Sequence, residues 1–305
     1  SIAKDISFPL FDEENDVPDD ANAYGIVKWM ENDTHVLLYD RFDIWKVSPD
    51  AKEKAIAITN GRRSKVQYRY IDADADEKYI KDEKQMVYRM FDEKTKTFHL
   101  SNIFVGIMSA YYPRTRTNSN KGMGKTTAPK TTRTNVQNIK ENEHPAPWSE
   151  PINVNSMIKA KNSNVWLFNQ DSYRSTDLYS NVMDTSYVEC LNNQDLMDTI
   201  ICAKRLTSLN SQQAQYNWVT AEVFKWKAYT GKETEGILYK PEDFDPTKKY
   251  PMIVYFYERS NQTLYNYLPP SPTPSRLNIP FFVSRGYIVF VPDIWYTTGN
   301  PGKSA

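Results

Sequence analysis

Gly236-Ile-Leu-Tyr-Lys-Pro-Glu-Asp-Phe-Asp-Pro-Thr-Lys-Lys-Tyr-Pro-Met-Ile-Val-Tyr-Phe-Tyr257 changes texture twice within 22 residues. A short apolar run gives way to the polar connection Pro241 to Lys249, and this opens into the unbroken apolar run Met252 to Tyr257. So short a continuous run predicts a strand buried on both faces. Upstream, Thr220 to Tyr229 and Glu235 to Lys240 read as a hairpin joined through Thr230-Gly-Lys232. Downstream, Asn278 to Arg285 reads as a helix stopped by Gly286, and Tyr287 to Val291 as a second buried strand. A buried strand, a helix and another buried strand are the opening of an α/β sheet.

Further towards the N-terminus the pattern is different. From Ile26 to Ile103 short runs alternate with polar turns: Gly25 to Trp29, Val36 to Tyr39, Asp43 to Val47, Ala55 to Ile58, Lys65 to Ile71, Met86 to Phe91 and Thr97 to Leu100. These have the period of half-buried strands, and Ser48-Pro-Asp50, Thr59-Asn-Gly-Arg62 and Asp92-Glu-Lys-Thr95 supply turn chemistry between them. The spacing suits a sandwich or a propeller, and the repeated unit of strand, aromatic, short turn and strand favours blades. Pro113 to Pro151 is rich in Thr, Asn and Ser, with recurrent Lys and Arg and no acid before Glu141. It reads as a long exposed insertion, open to trypsin between Arg114 and Arg133. Strands resume at Asn164 to Phe168.

Composition removes whole classes of function. The chain is 40% hydrophobic and 25% charged, with 38 Lys and Arg against 38 Asp and Glu, which excludes disordered, collagenous and coiled-coil chains. Zero formal charge leaves no global electrostatic argument for nucleic acid or membrane. The 21 Tyr and 7 Trp against 10 Gly lean towards β structure. No apolar run approaches the roughly 18 to 20 residues that span a bilayer. Cys190 and Cys202, with His35, His99 and His144 far off, match no metal-ligand spacing, so neither metal nor cofactor is expected, and the cysteines read as buried thiols or one bridge. Gly122-Met-Gly-Lys-Thr126 looks like part of a phosphate loop, but Ser119 stands where the leading Gly belongs and no strand precedes it. The basic run around it has little aromatic interleaving for base stacking, so no nucleic-acid partner is expected. The chain opens Ser1-Ile-Ala-Lys-Asp5, without an initiator Met or a leader, which reads as a processed chain or as the interior of a longer one.

Several of these stretches resemble the prolyl oligopeptidase and dipeptidyl peptidase family of serine peptidases. Gly236 to Tyr257 is similar to that family's passage into its hydrolase sheet, and Ser284 to Asp293 with Gly299-Asn-Pro-Gly302 to the next strand and loop. Asp16-Val-Pro18, Tyr39-Asp-Arg-Phe-Asp-Ile-Trp45 and Thr59-Asn-Gly-Arg62 resemble blade motifs of bacterial members, whereas residues 111 to 160 show no likeness. The resemblance implies a mainly β chain: a partial β-propeller over residues 1–218 with the insertion at 113–151, then the first strands of an α/β-hydrolase domain over 219–305. It implies cleavage of short peptides by acyl transfer, a periplasmic or secreted location, and the remainder of the hydrolase domain as partner; a homodimer stays open.

The family's Ser, His and Asp lie further along such a domain, and these 305 residues contain no Gly-x-Ser-x-Gly elbow. Gly302-Lys-Ser-Ala305 is the nearest approach and lacks the closing Gly. One catalytic group is nevertheless implied. A tyrosine closing the first buried hydrolase strand donates to the oxyanion in this family, and Tyr257 occupies that position, with Tyr255 as substitute if the register slips by one pleat. The bland reading of Tyr257 is a strand-end aromatic that only packs. Glu13-Glu14 with Asp16 is the tempting pair for a substrate ammonium, but the acid-rich run from Asp12 to Asp20 reads first as a solvated loop. The rival function is a non-catalytic propeller that binds peptide or glycan.

Overall fold

The computed structural model describes residues 2–74, 76–82, 84–104, 153–171, 175–182, 204–272 and 274–304. The insertion at 113–151, the phosphate-loop look-alike, His144 and both cysteines lie outside these residues. Fifteen strands and two short helices are described, and the strands form four sheets.

The first sheet is the antiparallel meander β1 (Ile26–Trp29), β2 (Val36–Tyr39), β3 (Ile44–Val47) and β4 (Ile56–Ala57). The second is β5 (Val66–Tyr70), β6 (Gln85–Asp92) and β7 (Phe98–Phe104). The third is β8 (Asn153–Lys159), β9 (Val165–Asp171), β10 (Thr176–Val182) and β11 (Lys204–Arg205). Side-chain alternation along β6 shows how they stack. Met86 and Tyr88 join Met30, Leu37, Ile44 and Ile80 in one buried layer, while Val87 joins Val154, Trp166 and Phe168 in the next. One strand thus fills two layers, which successive sheets packed face to face require. Each fully buried Leu or Ile in such a layer contributes about 1.5 to 3 kcal/mol.

The tips of the first sheet are fixed by two buried carboxylates from the Tyr39 to Trp45 motif. Asp40 accepts the backbone N–H of Phe42 and of Asp43 at 2.6 and 2.7 Å and the indole N–H of Trp45 at 2.9 Å. Asp43 accepts the Thr59 hydroxyl at 2.8 Å and the Arg62 N–H at 3.1 Å, so the Thr59 to Arg62 turn is held to β3. Burial pushes the Asp43 carboxyl up from its ordinary value, against the pull of these donors.

The fourth sheet is mixed, in the order β12 (Val219–Lys227), β13 (Glu233–Pro241), β15 (Ile288–Pro292), β14 (Met252–Val254). β12 and β13 form the expected hairpin, and β15 returns to lie between β13 and β14, antiparallel to the former and parallel to the latter. Helix α1 (Ile279–Val283) makes that return: Asn278 caps it by accepting the N–H of Phe281 at 2.9 Å, and Gly286, at φ +84°, ends it. Helix α2 (Pro301–Ser304) follows β15. Ile237, Val289, Val291 and Val283 pack on the α1 side of the sheet.

The pattern overlooked β8, β10 and β11. A register shift between Val154 and Met157 breaks the two-residue period of β8, and β10, Thr-Asp-Leu-Tyr-Ser-Asn-Val, carries polar residues where alternation would look for apolar ones. The strand expected over Met252 to Tyr257 and buried on both faces is neither so long nor so buried: it ends at Val254, with one further bond from the Tyr255 N–H to the Phe290 carbonyl, and as the edge strand of its sheet it leaves Met252 and Val254 exposed on one face.

Gly236 faces β15 so closely that a methyl group there would lie 2.5 Å from the Val291 oxygen and 2.6 Å from the Pro292 Cα. Both obstacles are backbone and cannot rotate away. Gly236→Ala is expected to cost about 2 to 3 kcal/mol, at the upper end of overpacking penalties, read as a lowered urea midpoint. An unchanged midpoint would mean that β13 and β15 do not pair in this register.

Candidate functional site

After Val254 the chain leaves the sheet, and Asp293, the residue after β15, catches it at Ser260 and Asn261. Its carboxylate, 2% exposed, accepts the N–H groups of Ser260 and Asn261 at 2.6 and 3.1 Å, and the Asn261 side-chain amide as well. The Asp293 N–H in turn donates to the Glu235 carbonyl at 2.9 Å. Burial raises the Asp293 carboxyl above its ordinary value, the three donors oppose this, and nearby Glu235 adds to the rise.

The loop so held forms one wall of a cavity of about 840 Å³, within the roughly 300 to 1,000 Å³ of ligand sites. Glu258, Arg259, Asn261 and Trp295 line this wall. Gln67, Arg69, Arg89, Phe91 and Phe98 from β5, β6 and β7 line the opposite one. Asp12, Glu14 and Tyr24 from the N-terminal segment line a third. Charge pairs stitch the walls together. Arg41 reaches Glu14 at 2.9 Å and Glu93 at 2.8 Å, and Arg259 reaches the other Glu14 oxygen at 3.1 Å while its guanidinium lies over the Trp295 ring at 4.5 Å. Lys96, 4% exposed, pairs with Glu235 across the same gap.

The acid-rich run expected as a solvated loop is instead docked in its first half. Glu13 pairs with Arg62 at 2.6 Å, Glu14 bridges Arg41 and Arg259, and Asp16 accepts the Tyr296 N–H at 3.2 Å. Glu14 therefore lines the cavity but spends its charge on two arginines. The basic partners, at positions 41, 62 and 259, are remote in sequence, which is why the run looked unpartnered.

Tyr257 lies three residues beyond the last residue of β14 and is 79% exposed. Its carbonyl accepts the Tyr296 hydroxyl at 3.0 Å, and it sits immediately before the cavity residues Glu258 and Arg259. Among the described residues nothing covers its ring. Tyr255 turns inward and packs with Ile253 against the core shared with α1. Asp293, Arg69 and Arg89 had no place in the sequence reading. Asp293 stood inside a quoted motif without a role, and the arginines look like ordinary polar positions of alternating strands. Among the described residues no group of three or more His, Cys, Asp or Glu is placed to hold a metal ion, and no helix is long and apolar enough to cross a membrane.

The raised Asp293 carboxyl has a measurable sign. The folded chain binds this proton more tightly than the unfolded chain, so the group's contribution to stability falls as pH rises through its native titration. Asp293→Asn removes that fall. The stability of the wild-type chain minus that of Asp293→Asn should therefore decrease as pH rises above the ordinary Asp value of about 4, followed by urea unfolding at each pH. A difference that grows with pH would show a carboxyl held down rather than up.

No protein-family model matches the chain. Over 87 residues it is 34% identical to dipeptidyl peptidase 8 of Mus musculus and of Homo sapiens, a match covering 28% of this chain and 10% of each relative. Among solved structures, dipeptidyl peptidase 4 of Porphyromonas gingivalis superposes on 90% of the chain with a TM-score of 0.51 at 13% identity. Prolyl oligopeptidase B of Galerina marginata does so on 90% with a TM-score of 0.50 at 9% identity. The chain spans 32% and 31% of those two proteins, and the sequences they share with it are too distant to show more than the fold. That fold is a partial, unclosed propeller followed by the first strands of an α/β-hydrolase sheet, and the chain is consistent with a fragment of the prolyl oligopeptidase and dipeptidyl peptidase family.

Proposed function

We propose that this chain is part of a serine peptidase that cleaves short peptides by acyl transfer, with residues 1–218 in its propeller and 219–305 opening its hydrolase domain. One observation carries the reading most strongly. The strand order β12-β13-β15-β14 sends the loop after β14 into a cavity whose opposite wall is built from β5, β6 and β7. A substrate between the two walls would meet the hydrolase edge on one side and the propeller on the other. Nucleophile, base and orienting acid would come from the remainder of the hydrolase domain: the serine hydroxyl attacks the scissile carbonyl, histidine takes its proton and returns it to the leaving amine. Tyr257 is the residue of this chain proposed to donate to the oxyanion. That role needs a site from which water is excluded, and the covering of its exposed ring is assigned to the same remainder of the domain. The proposed location is periplasmic or secreted, on resemblance alone.

Fluorophosphonate labelling separates the two parts of the proposal. The 305-residue chain should remain unlabelled, and a protein that continues into a complete hydrolase domain should label on one serine. Labelling of any serine in the 305 residues, Ser304 above all, would overturn the assignment of the triad.

In the active protein Tyr257→Phe keeps the ring and removes the donor. Stability should scarcely change, while kcat falls by about 10² to 10³ and KM moves little. Tyr255→Phe should be nearly neutral, since that ring packs in the core. Equal small losses at both positions would reduce Tyr257 to packing, and a large loss at Tyr255 alone would transfer the role.

A further inference from the structure

The cavity wall formed by β5 and β6 carries an electrostatic anomaly. Arg69 and Arg89 stand directly opposite each other in the antiparallel register of these strands, and both side chains line the cavity. Like charges directly opposed across a pair of strands are destabilising, and a partly buried guanidinium ordinarily sits beside a carboxylate. Neither residue makes an ion pair among the described residues, although Asp40 lies close enough to Arg69 to favour its charged form. Arg69 donates to the carbonyls of Tyr68 and Arg41 at 2.7 and 3.0 Å and lies over the Tyr39 ring at 5.0 Å. Arg89 lies over the Phe98 ring at 5.0 Å. Carbonyl dipoles and ring faces orient a cation without cancelling its charge. Burial pulls both guanidinium groups down from their ordinary values; for Arg69 the nearby Tyr39, Tyr24 and Asp40 oppose this in part, and the proximity of Arg89 adds to the pull.

The remaining cations of the cavity are satisfied. Arg41 and Arg259 share Glu14, Arg41 also holds Glu93, and Lys96 holds Glu235. The two lining acids outside these pairs, Asp12 and Glu258, come from the other walls. Positive charge is therefore left at one place in the cavity, on the β5–β6 wall facing the loop that carries Glu258 and Arg259.

We propose that Arg69 and Arg89 form a subsite for a carboxylate of the bound peptide, either an acidic side chain or a free C-terminus. The proposal rests on the peptidase reading for the identity of the ligand as a peptide, and it makes a carboxylate the group recognised. Arg89, with its guanidinium engaged by no hydrogen bond acceptor among the described residues, supplies the direct contact; Arg69, fixed by two carbonyls, supplies the second charge. An incoming carboxylate would remove the repulsion between them and make charge-assisted hydrogen bonds.

Binding, measured on the 305-residue chain by calorimetry, tests this without requiring catalysis. The probes are acetyl-Ala-Glu-Ala-amide against its Gln counterpart, and acetyl-Ala-Ala-Ala with a free carboxylate against its amide. At least one acidic probe should bind about ten- to a hundredfold more tightly than its neutral partner, the range of a charge-assisted hydrogen bond. The pair that shows the difference identifies the source of the carboxylate. Arg89→Gln should abolish the preference, Arg69→Gln should weaken it, and Arg89→Lys should retain part of it. Because Arg89→Gln also relieves the opposed charges, its thermal midpoint should not fall, which separates lost binding from lost folding. Equal binding of acidic and neutral probes, or a preference that survives Arg89→Gln, would overturn the subsite. An arginine-dependent preference in a protein whose complete form resists fluorophosphonate would keep the subsite and reject the peptidase reading.

Discussion

The absence of a side chain at Gly236 allows β15 to run against β13, and the geometry of the cavity follows from that contact. With Gly236 opposite Pro292, the next pair outward brings the Glu235 carbonyl to the Asp293 N–H. Glu235 is thereby held near the start of β13, where its carboxylate meets Lys96 from the turn before β7 and the amide of Asn261. Asp293, fixed by the same pairing, gathers the loop after β14. One close backbone approach thus sets the position of the loop wall relative to the β5–β7 wall. A glycine in a strand often marks such a place.

Buried carboxylates do similar work at both ends of the molecule. Asp40 and Asp43 collect backbone and side-chain donors from the turns that close the first sheet, and Asp293 collects the donors of an otherwise irregular loop. In each case a short acid beside a strand end takes the place of regular hydrogen-bonding structure and satisfies N–H groups that would be costly to leave unpaired. At Asp43 and Asp293 burial pushes the carboxyl up and the donors offset this only in part. These carboxylates therefore order their loops more than they add to net stability.

Much of the fold was legible because its signals are local. The two-residue alternation of β1 to β6 and the sequence Asn278 to Gly286 each specify an element from neighbouring residues. β8 was hidden by its bulge, and β10 because its pairing with β9, seven residues long, compensates for a weak intrinsic preference. The site was less legible. Tyr257 could be singled out by resemblance to a motif, but Arg69 and Arg89 acquire meaning only when their strands pair, and Glu14 only when Arg41 and Arg259 arrive from opposite directions. Charge complementarity between distant segments leaves no periodic trace.

The docking of the N-terminal segment has a consequence for the order in which the molecule assembles. Its bonds to the loops that follow β14 and β15 join residues 245 and 280 positions apart, Glu14 to Arg259 and Asp16 to Tyr296, whereas each antiparallel sheet is built mainly from strands adjacent in sequence. The entropy of closing a loop rises only slowly with its length, so these clasps are affordable at equilibrium, but they reward the chain only after both ends have folded. The Glu14 bridge is therefore expected to form late in folding. It is also held by partly exposed ion pairs, which places it among the first contacts to open when the folded molecule breathes.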